Sequence, residues 1–296
     1  MCAITYQQIE AKGALYRVQG MPFDWSLNPY LGCAHACVYC FARAYHARYR
    51  ERDVGEAFDR NIEVRTNFVD RLRTELRRRP EGAVAIGTAT DPYQPIEGKY
   101  RLTRGCLEAL VDFPMPTSII TKGPLVVRDI DVLQRLDAKT DLTVFFSVPC
   151  VDEDVVRRTD PGTAPPRQRL RALRMLREAG LDAGVLCMPV LPGITDSEES
   201  LDRAAKAASE AGATAFRHRP LKIDVEIRDY YDRFLAADFP MLLPRYEALY
   251  GNGIHPSKDY GRELEQRVAR VRKRYEFRER PAREREAVTE QLQLAI

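Results

Sequence analysis

The sequence predicts an α/β fold with a parallel sheet, on three observations. Short apolar and β-branched runs recur along the chain, helical stripes separate them, and Pro or Gly marks most junctions. Strands alternating with helices in this way imply βαβ units. With 296 residues the chain is long enough for one large α/β domain or two small ones.

Each element follows from local pattern. Val69, Leu72 and Leu76 recur at helical spacing, so 65–79 reads as a helix ended by Pro80. The run AVAIGT at 83–88 is a short buried strand. A helix over 103–112 stops before Pro114 and Pro116. TSIIT at 117–121 is a strand, and 129–136 is a helix with Asp129 as its expected cap. The run 142–148 is rich in β-branched and aromatic residues and is the best-marked strand. Leu170, Leu173 and Leu176 form a helical stripe ended by Gly180, and a strand at 183–188 follows. Asp196 is expected to cap an Ala-rich helix that runs to 211 and ends at Gly212; a short strand at 215–218 is the last. With one poorly marked strand before Cys33, this makes six βα units.

Composition sets the class. Hydrophobic residues make up 45% and charged residues 30%, as in soluble proteins. No apolar run approaches the ~20 residues that span a bilayer, and MCAITYQQIEAKG lacks a signal pattern. No membrane partner and a cytoplasmic location are therefore expected. Seven cysteines, three of them in one eight-residue window, argue against a secreted disulfide framework. Cys2, Cys106, Cys150 and Cys187 are scattered and expected to pack as small apolar residues. Net charge is +3, but arginines cluster at 77–79, at Arg167, Arg169, Arg171, Arg174 and Arg177, and at Arg267, Arg270, Arg272 and Arg274. Each run singly reads as a solvated helix face; together they would suit a polyanion.

The chemistry concentrates in LGCAHACVYCFAR. Cys33, Cys37 and Cys40 have the spacing CxxxCxxC. Three thiolates this close suit three irons of a [4Fe–4S] cube and leave the fourth iron open. The alternative is a zinc site completed by His35 or a distant histidine, although zinc sites usually show a second ligand pair. Further candidate segments fall at or just after the ends of predicted strands, where barrels place their chemistry. They include ATDPYQPIEGKY at 89–100, Thr121-Lys122, Ser147 and VLPGIT at 190–195. Arg217 and Arg219 flank His218, so alternation puts both arginines on one face of the last strand. Pointing inward, they would suit an acidic or phosphate-bearing ligand, or equally a structural ion pair to a neighbouring strand.

The cysteine loop, with Tyr39 before the third cysteine, resembles that of the radical S-adenosylmethionine (SAM) enzymes. The TDPYQP loop and the Thr121-Lys122 pair resemble the spore photoproduct lyase-like branch, often labelled DNA repair photolyase-like. The likeness runs over roughly 27–222. It implies a partial (β/α)6 TIM-like radical SAM barrel over 1–222, with a C-terminal helical extension and charged tail over 223–296. It implies a [4Fe–4S] cluster on Cys33, Cys37 and Cys40, with SAM on the open iron. SAM would be cleaved to a 5′-deoxyadenosyl radical that abstracts hydrogen from a substrate.

The residue roles carry over by position. Tyr39 and Phe41 would flank the adenine, and Leu191 and Gly193 would form its platform. Thr88, Thr90 and Asp91 would meet the methionyl ammonium, Lys122 the carboxylate and Ser147 the ribose. Tyr93, Cys106 and Cys150 are the candidates for a catalytic hydrogen donor. Spore photoproduct lyase proper carries a donor cysteine at the end of the second strand, and no cysteine lies between Ala83 and Thr90. The expected partners are a flavodoxin- or ferredoxin-like electron donor and a nucleic-acid substrate, for a monomeric enzyme. A peptide or small metabolite is the alternative substrate. The alternative of another class is a non-catalytic, zinc-stabilised nucleic-acid-binding module. No cysteine follows Cys187, which excludes a C-terminal auxiliary cluster.

Overall fold

The computed structural model describes residues 3–50, 53–278 and 280, so Cys2 and most of the charged tail fall outside the described residues. The chain opens with β1 (Thr5–Ile9), β2 (Tyr16–Arg17), β3 (Trp25–Leu27) and β4 (Tyr30–Leu31). Helices α1 (Ala42–Arg50) and α2 (Glu56–Arg60) lead to β5 (Asn61–Arg65) and α3 (Phe68–Leu76). Then come β6 (Val84–Ile86), α4 (Glu97–Tyr100), α5 (Leu102–Asp112), β7 (Thr117–Thr121), α6 (Ile130–Asp137) and β8 (Leu142–Ser147). Helices α7 (Glu153–Thr159) and α8 (Pro166–Glu178), β9 (Ala183–Val190), α9 (Glu198–Glu210) and β10 (Phe216–Pro220) follow. Helices α10 (Val225–Asp238), α11 (Leu243–Tyr250) and α12 (Lys258–Arg272) close the described chain.

The main sheet has the order β10-β9-β8-β7-β6-β3-β2. Six of its strands, β3 and β6 to β10, are parallel and lie in chain order; β2 is an antiparallel edge. That is the expected alternation of six units. One face carries Val84, Ile86, Ile119, Val144, Phe146, Val185 and Phe216, which pack with the helices in the largest hydrophobic core. Helix α12 belongs to this core through Leu264, Val268 and Val271, and it packs on α9 and β10. It therefore covers the sixth strand, after α10 and α11 are inserted.

Three expectations change. The helix expected over 65–79 starts at Phe68, because 61–65 is strand β5, paired parallel with β1 and antiparallel with β4. This small sheet had no signal: β1 reads TYQQI and is mostly exposed. Asp129 precedes α6 without capping it, since its carboxylate takes Arg128, Arg104 and Tyr93 instead. Ser197, not Asp196, caps α9, accepting from the Ser200 N–H. Asp196 binds Arg245, Tyr260 and the Gly193 N–H.

Candidate active site

The cysteine loop leaves β4 and enters α1. Gly32 opens it with a φ of +77°, and a Cβ there would stand 2.9 Å from the Phe58 carbonyl oxygen. Two turns grip the loop. In the first, Gln94 accepts the Ala34 N–H at 3.0 Å and donates to the Thr90 hydroxyl at 2.9 Å, while Thr90 donates to the Gly32 carbonyl at 2.6 Å. In the second, Thr159 O accepts the Val38 N–H at 2.9 Å, and the Gly162 N–H donates to His35 O at 3.1 Å. Gly162 allows this approach because a Cβ would lie 2.1 Å from the Ala34 carbonyl oxygen. From α1, the buried Arg43 donates to the Cys37 carbonyl at 2.9 Å.

Asp91 ties the first turn to β7. Its Oδ1 accepts from the Tyr93 N–H at 2.9 Å and the Thr121 hydroxyl at 2.6 Å; its Oδ2 accepts the Lys122 N–H at 2.6 Å and faces His35 Nδ1 at 3.2 Å. A carboxylate has about four acceptor positions, and the fold occupies them all. Burial disfavours the His35 imidazolium, but Asp91 and Cys33 outweigh it and push its pKa up to about 10.

Cys33 and Cys37 are buried and Cys40 is half-buried. Burial, then Asp160 and the neighbouring thiols, push Cys37 well up; burial and Cys33 push Cys40 up to about 11. Beside the loop lies Lys122. Its Nζ donates to the Ser147 hydroxyl at 2.8 Å and the Tyr39 hydroxyl at 3.1 Å, and it stands 5.4 Å from the centre of the Tyr39 ring. On its other side is Asp160, 3.9 Å away, backed by the buried Arg169 at the same distance. Arg169 is held by the Ser147 and Ala164 carbonyls and by the Thr163 hydroxyl.

The sheet face opposite the main core carries this row onward. Ser147 pairs with Leu186, and Leu186 with Arg217. Arg217 lies over the Phe145 ring at 5.1 Å, and both Arg217 and Arg219 are exposed. His218 points to the helical side, 3.1 Å from Glu265 of α12. Three strand spacings of ~4.8 Å put Arg217 about 14 Å from Lys122.

Residues 27–205 match the sequence pattern of the Radical SAM superfamily. The chain belongs to the radical SAM superfamily. A relative, an uncharacterised protein of Mycobacterium tuberculosis, is 38% identical over 278 residues, covering 92% of this chain and 81% of that one. A radical SAM Nalpha-GlyT isomerase of Pseudomonas phage M6 is 25% identical over 177 residues, covering 58% of this chain and 34% of the other. The fold is that of spore photoproduct lyase. The complex of that enzyme with dinucleoside spore photoproduct aligns with a TM-score of 0.69 at 15% identity, over 91% of this chain and 79% of the other.

This radical SAM enzyme brings together Tyr39, Lys122 and Ser147 from three separate segments. Thr88 stands at the end of β6 in a polar group with Ser26 and Asn28. Thr90 and Asp91 serve the loop bracket instead of facing open space. Phe41 is 45% exposed, edge-on to Tyr45. Leu191 is buried in the cluster that α10 and α11 form with Cys37, Val38 and Tyr39. A Cβ on Gly193 would meet Leu242 at 2.8 Å, so this glycine makes room for the C-terminal extension.

Of the donor candidates, Tyr93 is buried with its hydroxyl on Asp129, and Cys106 is buried in the main core. Neither faces the loop group. Cys150 lies in the field of Asp160 and Arg169, and burial pushes its pKa up to about 11. The arginine runs also change meaning. Arg267, Arg270 and Arg274 are paired with Asp196, Glu198 and Asp202 of the neighbouring α9 region. Arg169 is fully buried rather than part of a solvated face.

Sequence reasoning missed Asp160, Arg169, Ser26 and Asn28. Two signals were present. Arg169 precedes Ala172, Leu173 and Leu176 at three, four and seven residues, so it sits on the apolar stripe of α8. Thr159-Asp160-Pro161 repeats the tripeptide Thr90-Asp91-Pro92.

Among the described residues no helix is long and apolar enough to cross a membrane.

Proposed function

We propose that Cys33, Cys37 and Cys40 hold a [4Fe–4S] cluster and that SAM binds over it, against Lys122. Bound together, the two groups would supply a 5′-deoxyadenosyl radical for hydrogen abstraction, with the electron from a flavodoxin- or ferredoxin-like donor. The observation that carries this reading is the buried Lys122 ammonium, held beside the three-cysteine loop by Tyr39 and Ser147. Lys122 and Arg169 bring two positive charges and Asp160 one negative charge. The excess of one suits a ligand carboxylate, through a charge-assisted contact.

The donor set fits a cluster. Three thiols gather at the loop, and soft thiolates select iron–sulfur groups. Among the described residues no three His, Cys, Asp or Glu side chains converge on a single-ion site. A cube needs no such convergence, because each thiolate takes its own iron. His35, one of the histidines that could complete a zinc site, turns its Nδ1 to Asp91.

For the methionyl ammonium, Thr88 with Ser26 and Asn28 is a better supply of acceptors than Asp91, whose oxygens are occupied. The substrate proposed is a phosphate-bearing nucleoside or nucleic acid. Arg217 over Phe145 and the exposed Arg219 offer cations beside an aromatic surface, along the row from Lys122. The solved relative holds a dinucleoside. The test is anaerobic reconstitution. The protein should bind iron and sulfide in equal amounts and release 5′-deoxyadenosine with dithionite and SAM. A reconstituted protein without iron ends this reading.

A further inference from the structure

Asp160 lies fully buried in the turn between α7 and α8. Neither oxygen accepts a backbone N–H; the Tyr39 hydroxyl and the Cys37 thiol are its hydrogen-bonding neighbours. Its neighbours are Lys122 Nζ and Arg169 Nη1, each 3.9 Å away, with the Tyr39 hydroxyl and the Cys37 thiol beside them. A buried carboxylate with no backbone donor is costly, and a carboxylate needed only to shape a turn would bond to backbone N–H groups. Asp91, in the matching tripeptide, does so. Asp160 is therefore a buried carboxylate set against the loop and faced by two buried cations.

We infer that Asp160 sets the reduction potential of the metal group held by the cysteine loop. The inference rests on the cluster assignment proposed above. Iron–sulfur potentials depend on net charge, nearby hydrogen bonds and burial. One electron enters on reduction, with no proton required, and the added negative charge is repelled by Asp160. Lys122 attracts it. Asp160 thus opposes two buried cations that would otherwise stabilise the reduced state, and it keeps the reduced group a strong electron donor. It is a positioning residue, since it acts through charge and through Lys122.

The experiment is an anaerobic dithionite titration of full-length reconstituted protein without SAM, followed by electron paramagnetic resonance. Asp160→Asn keeps the shape and removes the charge. Its midpoint should rise by at least the equivalent of a tenfold change in the one-electron equilibrium, about 59 mV. Asp160→Glu should stay near wild type, and Lys122→Met should shift the midpoint the other way. An Asp160→Asn midpoint equal to wild type overturns the inference. So does an Asp160→Asn protein that takes up no iron, because Asp160 would then shape the loop. A wild-type protein that takes up no iron fails earlier, and it is the cluster assignment that falls.

Discussion

The Asp91 carboxylate accepts the backbone N–H of Lys122 at 2.6 Å, which fixes the end of β7 to the turn that grips the cysteine loop. Asp160 stands at the other end of the same lysine, 3.9 Å from its ammonium. Two Thr-Asp-Pro turns from different βα units thus hold one residue at both ends. The arrangement explains why a lysine can be buried beside three thiols. Its backbone has no freedom, and its charge has a partner.

Lys122→Met tests what that lysine is for. The proposed contact with the SAM carboxylate is charge-assisted, worth about 1.5–3 kcal/mol. SAM affinity should fall tenfold or more, measured by equilibrium dialysis of labelled SAM against reconstituted protein. Iron content should remain, because Lys122 is not a ligand. Unchanged SAM affinity would reject the assignment.

Gly162→Ala tests the second turn. Its Cβ would stand 2.1 Å from the Ala34 carbonyl oxygen and 3.0 Å from His35 Cα, and both contacts are backbone. Neither can swing away, so the cysteine loop must shift. Overpacking of this kind costs about 1–3 kcal/mol. The urea midpoint and the iron bound per chain should both drop. A variant that matches wild type in both would show that the turn does not pin the loop.

The main sheet was legible because its strands are short apolar runs between helices with clear stops, as at 117–121 and 142–147. The small sheet was not, because β1 is polar and exposed and gains its partner from a distant segment. In the site, Lys122 and Ser147 were found because they follow strands directly. Arg169 was hidden by four other arginines in the same segment, and only its phase on the α8 stripe marks it as buried. Asp91 carried the right type for an ammonium partner, but sequence does not show that its acceptor positions are filled.

His218 gives a pH dependence. Burial lowers its pKa below 6.5, and Glu265 only partly opposes this. A base with a lowered folded pKa binds fewer protons folded than unfolded. Its contribution is fully present above the unfolded pKa of about 6.5 and is lost as pH falls from there towards the folded pKa. The urea midpoint should therefore decrease between about pH 7.5 and pH 5.5. In His218→Gln the decrease should be smaller. An equal decrease in both proteins would assign the acid sensitivity elsewhere.

The two exposed arginines test the substrate class. If Arg217 and Arg219 meet phosphates, each displaces a counterion from the nucleic acid, and binding weakens with salt. Anisotropy of a labelled single-stranded oligonucleotide should show weaker binding by Arg217→Gln and Arg219→Gln. Each change should also flatten the slope of log affinity against log salt, by about 0.7 for every phosphate left without its arginine. The neighbouring Arg267, Arg270 and Arg274 are paired with acids of the α9 region, so their replacement should alter stability more than the slope. Binding by wild type that shows no salt dependence would rule out a phosphate-bearing substrate and leave the row from Lys122 to Arg217 for a peptide or a small metabolite.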